Sequence, residues 1–295
     1  MNTEQLEQMT HGAGFIAALD QSGGSTPGAL ELYGIPRESY DSDEQMLSLM
    51  HAMRTRIVTN PSFGGDHILG AILFEDTLDR QFAGVDAATY LWDHKQVVPF
   101  VKVDKGLAPE ANGARCMNPM PGLNALLDKA ITKGVFGTKM RSFIQLGDPV
   151  GVQAVVDQQF EIATSILAKG LIPILEPEID ITSPDKQVAE SLLRDALLKG
   201  LDALDDDQLV MLKLTLPERD DYYASLIEHP KVVRVVALSG GYTRQQAIER
   251  LVHNHKMIAS FSRALTEGLH VDMSDEAFTA ELKSAIEQIY TASIS

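Results

Sequence analysis

The sequence predicts an α/β fold, a single-domain (β/α)8 barrel of the TIM type that spans residues 1–295. Eight short, almost continuously apolar segments recur along the chain, as is typical of buried parallel strands. Helical patterns fill the gaps between them, and no linker separates two parts of the chain. Eight such units use up the available residues, which favours a closed barrel over an open doubly wound sheet. An open dinucleotide-binding sheet would also carry G-x-G-x-x-G after its first strand, where this chain reads DQSGGS.

The predicted strands are short and rich in Val, Ile, Leu and Phe. They are residues 14–20, 67–75, 96–104, 134–141, 171–179, 209–216, 232–240 and 257–265. Apolar residues at helical spacing are clearest in the segments 41–58, 150–170 and 187–204. Ser42 or Asp43 can cap the first of these helices, and Gly170 is suited to end the second.

Charge and composition exclude several classes of partner. The chain has 25 Lys and Arg against 41 Asp and Glu, a net charge of −16, so nucleic acid and anionic membranes are not expected partners. Cys116 is the single cysteine and cannot form an intrachain disulfide. The first ten residues are polar, unlike a signal peptide, and no segment approaches the roughly 18 apolar residues of a membrane span. We therefore expect a cytoplasmic protein, and a homo-oligomer is left open.

Polar residues stand toward the C-terminal end of each predicted strand. They are Asp20, Glu75, Lys102, Asp104, Lys139, Arg141, Glu176, Glu178, Lys213, Ser239 and Arg263. In a barrel these strand ends meet at one mouth, and charged pairs two residues apart on a strand share a face. A purely structural layer would be filled with Val, Ile and Leu, because buried ion pairs can often be replaced by apolar residues at no cost. The pattern therefore predicts an active site.

Lys213 stands in the most apolar surroundings of any lysine, within VMLKLTL. Burial disfavours the ammonium form, so the neutral amine is expected to be accessible there and able to attack a carbonyl carbon. An ion pair with Glu176 or Glu178 is the alternative.

Two glycine-rich loops are candidates for binding anions. After the seventh strand the chain reads LSGGYTRQQA, so that backbone N–H groups can approach an anion at the start of a helix, with Arg263 delivered by the eighth strand. Loops after strands seven and eight are the usual phosphate site of this fold. A second loop, DQSGGSTPG, offers Ser22 and Ser25. Either loop could also be a plain turn.

The histidines do not suggest a metal site. The only close pair, His253 and His255, precedes the eighth strand and is expected at the face opposite the mouth. No metal ligands are predicted.

Seven segments in order resemble the class I (Schiff-base) fructose-1,6-bisphosphate aldolases, in particular their shorter bacterial branch. They are FIAALDQSGGS, FVKVDKG, GTKMRS, LIPILEPEI, LVMLKLT, VVALSGG and SFSRAL. The resemblance implies reversible cleavage of fructose 1,6-bisphosphate to dihydroxyacetone phosphate and glyceraldehyde 3-phosphate. It also implies that no metal or other cofactor is used, since a covalent Schiff base with the substrate does the work.

The same resemblance implies roles for individual residues. Lys213 matches the Schiff-base lysine and Glu176 the general acid/base. Glu178 would hold Lys139, Lys139 would supply positive charge, and Asp20 would act at the C4 hydroxyl. The positions that match the C1 phosphate site are Ser239, Gly240, Gly241 and Arg263. Those near the other phosphate are Lys102, Arg141, Ser22 and Ser25.

This chain departs from the animal enzymes at two places. Gln21 replaces a glutamate after the first strand, and Tyr290 lies five residues before the end, where those enzymes have a terminal tyrosine that assists proton exchange. Tyr290 could substitute for it or could simply pack against its helix's neighbours.

Three alternative functions remain at this stage. A Schiff-base aldolase for another ketose bisphosphate, such as tagatose 1,6-bisphosphate, would use the same residues. A glycosidase is disfavoured because Glu176 and Glu178 point the same way instead of flanking a bond. A non-catalytic phosphosugar-binding protein would have no need for Lys213.

Overall fold

The barrel consists of eight parallel strands, and the computed structural model describes residues 2–295. The strands are β1 Phe15–Leu19, β2 Ile68–Leu73, β3 Val98–Lys102, β4 Gly137–Ile144, β5 Ile172–Ile179, β6 Val210–Thr215, β7 Val232–Leu238 and β8 Ile258–Phe261. Each strand pairs with its neighbours in the chain, β1 pairs with β8, and the sheet closes on itself. The predicted closed (β/α)8 barrel is therefore confirmed.

Pairing between β3 and β4 completes the barrel, with Val101 opposite Thr138 and Lys102 opposite Lys139. Gly137 begins β4 between both neighbouring strands. A Cβ there would lie 2.3 Å from the carbonyl oxygen of Ile172 and 2.8 Å from the ring of Phe100. Only glycine lets the three strands approach so closely.

Helices cover the outside of the barrel. They are α1 Thr3–His11, α2 Ser25–Leu32, α3 Asp43–Val58, α4 Glu75–Leu78, α5 Ala87–Thr89, α6 Leu123–Thr132, α7 Pro149–Leu167, α8 Lys186–Asp202, α9 Ala224–Ile227, α10 Arg244–Leu251, α11 Arg263–Thr266 and α12 Asp275–Ser293. Shorter pieces are a 3-10 turn at Arg37–Ser39, a π turn at Tyr90–His94, a hairpin of Gln81–Phe82 with Val85–Asp86, and the bridge Ala114–Arg115 against β4. As predicted, Ser42 caps α3, accepting from the Gln45 N–H.

An apolar plug fills the barrel below its mouth. Its side chains come from alternate positions on the strands and include Ile16, Ala18, Ile72, Phe100, Ile174, Met211 and Ile258. Since side chains repeat every two residues on a strand, the next inward positions on β1, β3, β5 and β6 are Asp20, Lys102, Glu176 and Lys213. Alternation thus stacks a charged layer directly on an apolar one.

Two of the predicted strands had wrong boundaries. The fourth strand begins at Gly137 and runs to Ile144, because β5 pairs along its whole length and Ala114–Arg115 adds to its far end. The eighth strand ends at Phe261. Ser262 leaves the extended conformation (φ −105°, ψ −80°), so Arg263 opens α11 instead of ending the strand.

Within residues 2–295, the helices are all too short or too polar to cross a bilayer.

Candidate active site

A buried lysine on β4 joins two carboxylates at the mouth of the barrel. The Nζ of Lys139 lies 2.6 Å from Oδ2 of Asp20 on the β1 side and 2.9 Å from Oε2 of Glu176 on β5. All three side chains are less than a tenth exposed. Charges removed from water in this way are tolerable only when they are paired, as they are here.

Mutual stabilisation determines the protonation of this group. Burial alone would raise the pKa of Asp20, but Lys139 and Lys213 outweigh it and lower that pKa to about 2. Burial would lower the pKa of Lys139, yet Asp20 and Glu176 raise it well above its usual value. At neutral pH Asp20 is therefore a carboxylate and Lys139 an ammonium.

Lys213 extends from β6 to the same carboxylate. Its side chain is 5% exposed, and its Nζ lies 3.0 Å from Oε1 of Glu176. Glu176 thus divides its two oxygens between two lysines. The contact provides the ion pair foreseen for Lys213, and its 3.0 Å separation is also short enough for proton transfer between an amine and a carboxylate.

The strands that carry these two residues separate at this level. Register pairing between β5 and β6 stops at Leu175 and Leu212, one residue before Glu176 and Lys213. Beyond the gap the hydroxyl of Thr215 accepts from the N–H of Ile179 (2.8 Å) and donates to its carbonyl (2.9 Å). The two strands are therefore joined on both sides of an opening where Glu176 and Lys213 meet.

Glu178 does not hold Lys139, contrary to what the resemblance implied. Its Oε2 accepts from Nε of Arg141 at 2.5 Å, because it lies two residues further along β5 and so one layer higher. Burial would lower the pKa of Arg141, and Glu178 overrides this and raises it. Glu176 takes the position beside Lys139.

Asp104 organises the other basic side chains. It is 5% exposed, and its carboxylate accepts from Nζ of Lys102 at 2.5 Å and from the backbone N–H of Arg141 at 3.1 Å. Asp104 was expected at the mouth from the sequence, with no role assigned to it. Its position two residues after Lys102 was the available signal.

Gly241 and Arg263 come together as predicted. Gly240 and Gly241 have φ values of +57° and +114°, and a Cβ on Gly241 would lie 3.6 Å from Nη2 of Arg263. Ser239, at the end of β7, is buried. The Thr243 side chain then caps α10 in a capping box with Gln246. The loop thus presents glycine backbone and a guanidinium to one volume.

The loop after β1 forms a local turn in this structure. Ser25 Oγ accepts from the N–H of Ser22 (3.1 Å) and donates to its carbonyl (3.0 Å). From the same loop, Nε2 of Gln21 donates to Oγ of Ser262 at 2.9 Å. The two predicted phosphate segments are therefore connected through residues 21 and 262.

Two buried polar residues at the mouth escaped the sequence analysis. Arg54 of α3 is 1% exposed and donates to the Gln21 carbonyl (2.5 Å) and the Thr77 hydroxyl (3.1 Å). Ser260 lies in β8, two residues after the inward-facing Ile258, and its hydroxyl is buried without a partner in the described part of the chain. Arg54 could have been found from the sequence, because it stands on the apolar face of α3, four residues after Met50.

Tyr290, His67 and His255 lie away from the mouth. The ring of Tyr290 packs edge-on against His67, 4.5 Å between centroids, and His67 immediately precedes β2. Tyr290 is therefore at the opposite end of the barrel, as a packing residue. Nδ1 of His255 contacts Asp221 at 2.9 Å before β8 begins. Across residues 2–295, no three His, Cys, Asp or Glu side chains converge to form a metal site.

The fold and this mouth define a class of protein: a (β/α)8-barrel enzyme in which a buried lysine, a shared carboxylate and a second lysine meet beneath glycine-rich loops. Residues 7–216 match the family described as "Fructose-bisphosphate aldolase class-I". The chain is 59% identical over 293 residues to the fructose-bisphosphate aldolase class 1 of Synechocystis sp., covering 99% of this chain and 98% of that protein. The protein belongs to the class I fructose-bisphosphate aldolases, a family of lyases.

Solved structures show the same fold at low sequence identity. The Plasmodium falciparum fructose-bisphosphate aldolase, solved with TRAP and a small-molecule inhibitor, is 20% identical with a TM-score of 0.78, covering 98% of this chain and 93% of that one. An archaeal fructose-1,6-bisphosphate aldolase, solved with its catalytic lysine bound to the carbinolamine intermediate of its substrate, is 12% identical with a TM-score of 0.53. The latter covers 98% of this chain and 99% of that one.

Proposed function

We propose that this protein reversibly cleaves fructose 1,6-bisphosphate to dihydroxyacetone phosphate and glyceraldehyde 3-phosphate through an imine on Lys213. The observation that carries the proposal is the chain of contacts Lys213, Glu176, Lys139 and Asp20. It supplies a buried amine, a carboxylate on that amine, a fixed cation and a second carboxylate. Family membership supports a Schiff-base route on a fructose bisphosphate.

Imine formation begins at the contact between Lys213 and Glu176. Glu176 accepts a proton from the ammonium, and the neutral amine attacks the C2 carbonyl carbon to form a carbinolamine. The protonated Glu176 then donates to the C2 hydroxyl, which leaves as water. The Nζ of Lys139 lies 2.9 Å from the same carboxylate, and its positive charge stabilises Glu176 whenever Glu176 is ionised.

Cleavage then uses the carboxylate of Asp20. It takes the proton of the C4 hydroxyl, the C3–C4 bond breaks, and its electron pair flows into the iminium to give an enamine. The pKa of about 2 guarantees that Asp20 is ionised for this step. Protonation of C3 and hydrolysis of the imine release the second product and restore Lys213.

The phosphates would be held by the two loops and the basic side chains around the mouth. Ser239, the two glycines and Arg263 suit the C1 phosphate, since backbone N–H groups and a guanidinium are strong donors. Lys102, Arg141, Ser22 and Ser25 suit the other phosphate. In the structure Lys102 and Arg141 donate to Asp104 and Glu178. When substrate binds, these two cations would contact the phosphate either in addition to those carboxylates or in place of them.

Borohydride trapping with dihydroxyacetone phosphate tests the proposal. Reduction should leave one covalent adduct, and peptide mass mapping should place it on Lys213, with the same yield in a strong chelator. Cleavage of fructose 1,6-bisphosphate should exceed that of tagatose 1,6-bisphosphate in a direct competition assay. An adduct on another lysine, or no adduct, would refute the assignment.

Matched lysine variants complete the test. Lys213→Arg keeps the charge and the contact with Glu176 but cannot form an imine, so trapping and cleavage should both be lost while the fold persists. Lys105→Arg is the control, because Lys105 is also at the mouth, where it pairs with Glu75, but is 46% exposed. That variant should retain the adduct and most of the activity.

A further inference from the structure

We propose that Gln21 is a positioning residue: through its hydrogen bond to Ser262 it fixes the position of the loop after β1 relative to the start of α11. This fixed separation makes the mouth selective for a substrate with an anionic group at both ends. The inference rests on the proposed function, since it assumes a ketose phosphate substrate.

The hydrogen bond joins two segments that are 241 residues apart in the chain. Gln21 stands between Asp20 and Ser22, in the loop predicted to bind one phosphate. Ser262 directly precedes Arg263, which is predicted to bind the other. One contact of 2.9 Å therefore connects both anion-binding segments.

A buried guanidinium fixes the backbone on which this contact depends. Arg54 donates to the carbonyl of Gln21 at 2.5 Å and to the hydroxyl of Thr77, in α4, at 3.1 Å. Burial lowers the pKa of Arg54 to about 10, so it remains a cation at neutral pH. The backbone from which the Gln21 side chain extends is therefore held by a buried cation.

The amide of Gln21 is the donor in this bond. Gln21 donates through Nε2 and the Ser262 hydroxyl accepts, and no other hydrogen bond to that hydroxyl is present within residues 2–295. Ser262 therefore has a single hydrogen-bonding role, which is to hold the Gln21 side chain. A carboxylate at position 21 could only accept, so the bond would have to run the other way.

Loss of the link should therefore matter most when both segments are occupied. Fructose 1,6-bisphosphate needs the two loops at a fixed separation, whereas fructose 1-phosphate uses one phosphate site only. One neutral hydrogen bond corresponds to about a three- to tenfold effect. We expect that loss in KM for the bisphosphate, with kcat and the monophosphate kinetics nearly unchanged.

The test compares kcat and KM for both substrates in the wild type, Gln21→Met, Ser262→Ala, the double variant and Ser262→Thr. Gln21→Met keeps the length of the side chain and removes the donor. Ser262→Thr retains the hydroxyl and should keep the wild-type preference for the bisphosphate over the monophosphate. The double variant should lose no more than either single variant, since both remove the same bond. If Gln21→Met does not fold, as judged by circular dichroism, Ser262→Ala and Ser262→Thr decide the result.

The outcomes separate this inference from the proposed function. An unchanged ratio of kcat/KM between the two substrates, an equal loss for both, or multiplicative losses in the double variant would overturn the positioning role while the Lys213 adduct still formed. A wild-type protein that forms no adduct with dihydroxyacetone phosphate would overturn both.

Discussion

At the scale of single residues, the mouth depends on alternating charge. Lys139 lies between the carboxylates of Asp20 and Glu176, and Glu176 also contacts Lys213. Removing Lys139 would leave the buried charge of Asp20 without its contact, and removing Glu176 would do the same to Lys213; either loss costs about 3–5 kcal/mol. Lys139 and Glu176 therefore hold the group together.

Asp20 should make the protein sensitive to acid. Its pKa falls from 3.8 in the unfolded chain to about 2 in the fold, so the unfolded state binds the proton more readily. The stabilisation is fully present above about pH 4 and is lost as the pH falls toward 2, amounting to about 2 kcal/mol. Urea unfolding followed by circular dichroism from pH 5 downward should show this loss in the wild type and a shallower slope in Asp20→Asn.

The exposed Asp41 provides the control for that measurement. Asp41→Asn should keep the acid slope of the wild type. Parallel slopes for the wild type and Asp20→Asn would mean that Asp20 is not stabilised as an ion by its two lysines.

At the scale of elements, the turn between β7 and α10 carries the strictest backbone requirement at the mouth. Gly241 has φ +114°, and a Cβ there would lie 3.2 Å from Ile181. Gly241→Ala should destabilise the protein by about 1–3 kcal/mol and raise KM for the bisphosphate, because the loop must leave the conformation in which we propose that it binds the phosphate. Steady-state kinetics together with thermal unfolding would measure both effects.

Gly170, at the start of β5, is the matched comparison. It has φ +76° with open space around its Cβ position, at the end of the barrel away from the mouth. Gly170→Ala should cost about 1 kcal/mol of stability and leave KM unchanged. Equal KM changes in the two variants would show that the Gly241 turn does not contact the substrate.

At the scale of the whole molecule, closure of the barrel depends on Gly137. Gly137→Ala should destabilise the protein by about 3 kcal/mol, because the new Cβ would meet the carbonyl of Ile172, which belongs to the β4–β5 ladder and cannot withdraw. The urea midpoint, read by tryptophan fluorescence, would measure the loss. Gly122→Ala, with open space and a negative φ, should change the midpoint little. A similar midpoint for both variants would contradict this view of closure.

The sequence predicted the strands and the residues of the site, but not how the charged residues of the site pair. All eight strands were predicted because their apolar runs are local features. Most predicted boundaries lie within two residues of the observed ones. The boundaries of β4 and the end of β8 were missed because they depend on partners elsewhere in the chain. The lysines and carboxylates of the mouth were also foreseen from their positions at strand ends. Their pairing was not, since Glu178 contacts Arg141 and Glu176 takes Lys139.

Local sequence patterns were enough to predict the barrel, its eight strands and the residue types at its mouth, because side-chain periodicity and hydrophobicity are encoded within a few neighbouring residues. The pairing of the charges, the position of Tyr290 at the far end and the contacts of Gln21 with Arg54 and Ser262 could be seen only in the folded molecule. These contacts depend on the tilt and stagger of strands around a closed barrel, which set the height of every side chain. No local pattern contains that information.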